Sequence, residues 1–94
     1  MLPYWTVHVL PNGSLKFEGI SAEAFVCSFR CEMAWLDFRV ARQKADFGRM
    51  VKAEIHARHA GDELTPLLQA DGWNEAQIAT LLRRHQVGPY NPIG

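Results

Sequence analysis

Ninety-four residues and 10.7 kDa, with 48% apolar and 21% charged residues, suffice for one small hydrophobic core and are too few for two. Ten basic side chains balance ten acidic ones at a pI near 6.9, which removes the whole-chain electrostatic case for nucleic acid and leaves only local patches to make one. No apolar run has the length of a membrane span, the amino terminus lacks the basic, apolar and small-residue succession of an export leader, and two Cys cannot staple a scaffold; a cytoplasmic protein with no membrane partner is expected.

Residues 4–10 and 15–20 are rich in β-branched and aromatic types and flank Pro11-Asn12-Gly13-Ser14, so a β-hairpin over 4–20 is predicted. A two-residue Asn-Gly turn would set Val7 and Val9 against Glu18 and Lys16. A three-residue loop, with Pro11 and Asn12 in a type I turn and Gly13 left-handed, instead pairs Val9 with Leu15 and Val7 with Phe17. That register gathers Trp5, Val7, Val9, Leu15 and Phe17 on one face, the expected buried one, and Thr6, His8, Lys16 and Glu18 on the other.

Ser21 is a good N-cap, with Glu23 in the first turn behind it and Ile20 placed to pack on Phe25. From there Phe25, Phe29, Met33, Leu36, Val40, Phe47, Val51 and Ile55 form one helical stripe, expected to face the core. Cys27, Cys31, Ala34, Trp35 and Phe38 line the back of its first half, which predicts a central helix covered on both sides. A single helix over 22–58 would be about 55 Å long, so a break is expected near Asp46-Phe47-Gly48, giving helices at about 22–45 and 47–59. Gly61 then reads as a stop, Thr65-Pro66 as the start of a short helix over 66–71, and Gly72 as its end. Asn74 and Gln77 make a capping box for a helix over 75–86, with Trp73 placed against Ile78. Gly88-Pro89-Tyr90-Asn91-Pro92-Ile93-Gly94 is expected to be an extended tail over 88–94. The fold class is therefore a single small α+β domain over 1–94: an N-terminal hairpin packed on a long central helix, then two or three shorter helices and the tail.

Chemistry is sparsely encoded. Residues 72–82 resemble the first helix of a helix-turn-helix, but two Gly and two Pro follow where a recognition helix would stand. His56 and His59 could hold a metal with Cys27 and Cys31, or with His85 and Asp62. Their spacing fits no zinc pattern, so no metal and no cofactor is expected, with buried Cys and exposed His. There is no phosphate loop, nucleophile elbow or His-Glu-x-x-His helix; a composite site such as His8 with Glu18 and a helix residue is the remaining route to catalysis. The strongest local feature is the basic back of 39–59, which holds Arg39, Arg42, Arg49, Lys52, His56 and His59 and is the candidate partner-binding face. An unpaired hairpin edge, unless the tail around Tyr90 to Ile93 covers it, is a second, suited to a homo-oligomer. By elimination the expected function is a non-enzymatic binding or regulatory module, an inhibitor or adaptor acting on another protein. The alternatives are a nucleic-acid-associated protein using the basic face, and a small enzyme or metal protein.

Overall fold

A computed structural model describes residues 5–88. The fold is α+β, as the sequence implied: strands β1 (Thr6–Val9) and β2 (Leu15–Glu18) form an antiparallel hairpin, followed by helices α1 (Ala22–Gln43), α2 (Phe47–Ala70) and α3 (Glu75–Val87). Val9 pairs with Leu15 and Val7 with Phe17. Leu10 N–H donates to Ser14 O at 2.8 Å and Gly13 lies at φ +87°, so the loop is the three-residue one over 11–13. Of the tail expected over 88–94, all but Gly88 lies outside the described residues.

The expected hairpin face is only half covered. Trp5 and Phe17 pack on Phe25 of α1, with ring centroids 5.3 Å apart in both pairs, and Val7 is half-buried. Val9 and Leu15, nearer the turn, are exposed because the hairpin tip extends past the helices. Trp73 fixes the other end by donating its indole N–H to Gly19 O at 2.7 Å.

α1 and α2 pair antiparallel through a tight reversal at residues 44–46. Asp46 N–H returns to Ala41 O at 2.9 Å and Ala45 N–H to Arg42 O at 3.1 Å, a Schellman ending in which Ala45 takes the left-handed position (φ +55°) usually given to Gly. Asp46 then caps α2, its carboxylate accepting from Arg49 N–H. The break falls where the sequence placed it.

The second expected break does not occur, since α2 runs through both Gly61 and Pro66 to Ala70 in place of separate helices over 47–59 and 66–71. An interior Pro costs about 3 kcal/mol. Burying Leu64 and Leu68 completely contributes about 1.5–3 kcal/mol each, enough to offset it. Thr65 Oγ1 donates to Gly61 O at 3.0 Å, satisfying a carbonyl beside the disrupted turn. Gly61 also lies under Leu82 of α3, whose Cδ2 would stand 3.6 Å from an added Cβ. The stop comes at Gly72 (φ +91°), again with Schellman bonds, Trp73 N–H to Leu68 O and Gly72 N–H to Gln69 O.

α1 is covered on one side, its expected back with Cys27, Cys31 and Trp35, and not on both. α1 turns Ala24, Cys27, Ser28, Cys31, Trp35 and Ala41 inward, and α2 turns Ala53, Ala57, Ala60, Leu64 and Leu68. Ala24 and Cys27 meet Leu64 and Leu68 in one cluster with Ile20, Trp73, Ile78 and Leu81; Cys31 and Trp35 meet Ala57 and Ala60 in another. Large side chains on one helix thus meet small ones on the other. The stripe expected inside faces solvent instead: Phe29, Met33, Leu36, Phe47, Val51 and Ile55 are exposed, and Phe25 and Val40 are half-buried. The radius of gyration, 14.4 Å, exceeds the roughly 12 Å of a compact chain this long, as expected of a helix pair covered on one side only.

Enlarging the small side of this contact should therefore be costly. Ala57→Leu is expected to lower stability by about 1–3 kcal/mol through overpacking, whereas Leu36→Ala, on the exposed stripe, should change it by no more than about 0.5 kcal/mol in the isolated chain. Urea unfolding of the two variants checks the contrast.

Candidate functional site

The residues of the basic back do not form one free surface. Arg39 is half-buried and its Nη1 donates to His85 O and Gln86 O, both at 2.9 Å, closing the C-terminus of α3. Gly88 follows at φ +90°, a conformation that favours glycine, with the Arg39 guanidinium packed close to its Cα. Arg42 stacks over Phe38, 5.7 Å from the ring centroid. Arg49 is paired through Nε and Nη2 with Asp37 of α1. Lys52, His56 and His59 are exposed on α2, and among the described residues they enter no ion pair. Five of the six, Arg42, Arg49, Lys52, His56 and His59, are exposed, while Arg39 is held by α3 and Arg49 is paired with Asp37.

Cys27 and Cys31 are buried free thiols that reach the main chain of the neighbouring helix, Cys27 Sγ lying 3.5 Å from Ala60 O and Cys31 Sγ 3.6 Å from Ala57 O. Burial raises both thiols, Cys31 to about 11, which keeps them protonated as donors. Among the described residues no three His, Cys, Asp or Glu side chains cluster as a metal site would require. His8 and Glu18 do meet, as an exposed hydrogen-bonded pair on the outer hairpin face, and that bond lowers the pKa of the Glu18 carboxyl group.

Sequence reasoning missed a buried polar contact. Ser28, midway along α1, and His85, in the last turn of α3, hydrogen-bond through Oγ and Nε2 at 2.7 Å, and both are buried. They sit at the back of a cleft of about 330 Å³ bounded by Trp5, Phe25, Phe29, Glu32, Leu81 and Arg84. The indole N–H of Trp5, buried at this cleft, has no partner. A Ser–His contact of this length is the first requirement of an activated nucleophile. The main-chain N–H groups around Ser28 are engaged in α1. The contact ties α1 to α3. A helical serine and a histidine 57 residues apart leave no local signal for it in sequence.

The remaining candidate is the uncovered apolar side of the helix pair. On α1, Val26, Phe29, Met33 and Leu36 keep 55%, 54%, 43% and 41% of their surface exposed. Phe47, Val51 and Ile55 form a second exposed strip on α2. Phe29 also bounds the cleft, so cleft and strip are continuous on α1. No described helix is long and apolar enough to cross a membrane. Compared with protein-family models, curated proteins and solved structures, the chain matches none of them.

Burial lowers the pKa of His85, with Arg39 adding to the shift and Glu32 opposing it. Folded protein therefore holds His85 neutral at pH values where the unfolded chain, with a histidine pKa of about 6.5, already binds the proton. Stability should be highest above that value and fall as pH drops through it toward the lowered pKa. His85→Gln should remove this part of the acid loss. Ser28→Ala should cost about 1–3 kcal/mol at neutral pH by leaving the ring nitrogen without its partner. Thermal melts of the three proteins across the acid range measure all these effects.

Proposed function

We propose that the chain is a small non-enzymatic protein-interaction module, an adaptor or inhibitor, that engages its partner through the exposed apolar side of the helix pair. One observation carries this reading: Val26, Phe29, Met33 and Leu36 of α1 lie outside while Ala24, Cys27, Cys31 and Ala41 of the same helix are turned inside. Exposed apolar residues scattered singly need no explanation, but here they recur on successive turns of α1 from Val26 to Leu36 and continue into a cleft. Contiguous apolar surface of this kind suits an amphipathic helix, which would cover it with its own apolar face.

The basic residues support the reading less well. Arg39 and Arg49 already serve polar contacts within the fold, so a phosphate-binding face would have to rest on Arg42, Lys52, His56 and His59. Binding driven by apolar contact should survive salt, whereas binding to phosphates weakens steeply with it.

The test is affinity capture by the tagged chain from extract, run beside two pairs of substitutions. Phe29→Glu with Leu36→Glu should abolish capture while helix content stays unchanged, and capture by the unaltered chain should resist salt and nuclease. Should Lys52→Glu with Arg42→Glu abolish capture instead, and nuclease remove the captured material, the nucleic-acid reading replaces this one.

A further inference from the structure

We propose that the outer side of α1 is a self-association surface, on which a second copy of the chain lays its own α1 antiparallel with Met33 of each copy against the partner's Leu36. This deepens the preceding reading and rests on it.

The spacing comes first. Ala22, Val26, Phe29, Met33, Leu36 and Val40 follow one another at alternating steps of four and three residues, the seven-residue repeat of a helix seam that pairs with another helix. In α1 that repeat is exposed from Ala22 to Leu36 and half-buried at Val40, while the inward face follows a separate set of positions. From Val26 to Val40 the strip is about 21 Å long.

The charges beside the strip then select one partner geometry. Arg30 and Asp37 flank it on one side, Glu32 and Arg39 on the other. In an antiparallel pair each flank meets the same flank of the neighbour. With Met33 against the partner's Leu36, Phe29 falls against the partner's Val40, Arg30 against the partner's Asp37, and Glu32 against the partner's Arg39. Two-fold symmetry repeats every contact, and all these charged contacts are opposite in sign.

Other arrangements fail the same test. A slip of one repeat in one direction sets Arg30 on the partner's Arg30 and Glu32 on the partner's Glu32. A slip in the other direction sets Asp37 on the partner's Asp37 and Arg39 on the partner's Arg39. In a parallel pair Glu32 meets the partner's Asp37. Only the register centred between Met33 and Leu36 has complementary charge on both flanks.

The contacts already made inside the chain leave these groups able to take part. Arg39 gives only Nη1 to the α3 carbonyls, and Asp37 receives Arg49 on Oδ1, leaving Oδ2. Arg30 and Glu32 enter no ion pair among the described residues.

Sedimentation of the purified full-length chain over a dilution series should show a dimer that dissociates on dilution. Leu36→Glu should sediment as a monomer with unchanged helical circular dichroism. Arg30→Asp, a surface change that spares the fold, should weaken the dimer about tenfold by turning two attractive contacts into repulsive ones. Orientation is read by cross-linking: a mixture of Phe29→Cys and Val40→Cys proteins should form a covalent dimer on mild oxidation, while neither alone does. Two copies of position 29 would lie about 16 Å apart along the antiparallel pair, beyond disulfide reach, and the native thiols are buried. A monomer at every concentration overturns the dimer but leaves the interaction-module reading to its own test in extract. A dimer that persists in both Leu36→Glu and Arg30→Asp, or efficient cross-linking of Phe29→Cys alone, overturns the proposed interface.

Discussion

The structure depends on how closely α1 and α2 can approach. Cys27 and Cys31 place their thiols on the carbonyls of Ala60 and Ala57, which requires side chains no larger than Cys and Ala at the contact. Dispersion between well-packed atoms is small per pair and large in sum, so a narrow seam of small residues can hold two helices of 22 and 24 residues firmly. Size also alternates along it, with Leu64 and Leu68 filling the space beside Ala24 and Cys27, and Trp35 the space beside Ala57 and Ala60. A bulky residue at Ala57 would separate the helices and loosen every contact that α3 makes across both.

The elements outside the seam follow from it. α3 lies across one side of the pair, latched by Ser28 to His85 and by Arg39 to the last carbonyls of α3. The hairpin hangs on the same assembly through Phe25 and through the Trp73 indole on Gly19. Asp71 at the end of α2 accepts from Ser21 N–H at the start of α1, closing the far end of the helix pair. All these contacts spend the large residues of one side, and the other apolar stripe of α1 is left without a cover.

Local chemistry was legible in the sequence wherever one residue type solves one backbone problem. Gly13 at the hairpin loop, Ser21, Asp46 and Asn74 as N-caps and the Asn74–Gln77 box all stand where side-chain pattern placed them. The register of the hairpin followed from matching polar faces. What misled was the expectation that both faces of the first half of α1 would be covered. Both faces of α1 carry helical spacing, and hydropathy favours the stripe with Phe, Met and Leu over the one with Ala and Cys, whereas close packing favours the reverse. The same rule hid the continuity of α2, because Pro66 is a strong local stop and the burial of Leu64 and Leu68 that overrides it is a tertiary effect. The candidate basic site was legible only as composition: charge can be counted along a chain, but that Arg39 ends on an α3 carbonyl and Arg49 on Asp37 depends on which helices become neighbours.

Sequence constraints of two different origins therefore meet on α1. Its inner face is dictated by the need for small volume, which explains Ala24, Cys27, Cys31 and Ala41 without reference to function. Its outer face gains nothing in the isolated chain from carrying Val26, Phe29, Met33 and Leu36, since exposed polar residues would serve the helix equally well and reduce the risk of aggregation. A spacing of alternating threes and fours on that face, with charges beside it that are complementary in a single antiparallel register, imposes a further condition that intrachain packing does not require. Apolar contact sets the strength of such a surface and the flanking charges set its selectivity. A seam that brings α1 and α2 together by being narrow leaves the wide side chains of α1 to act between molecules.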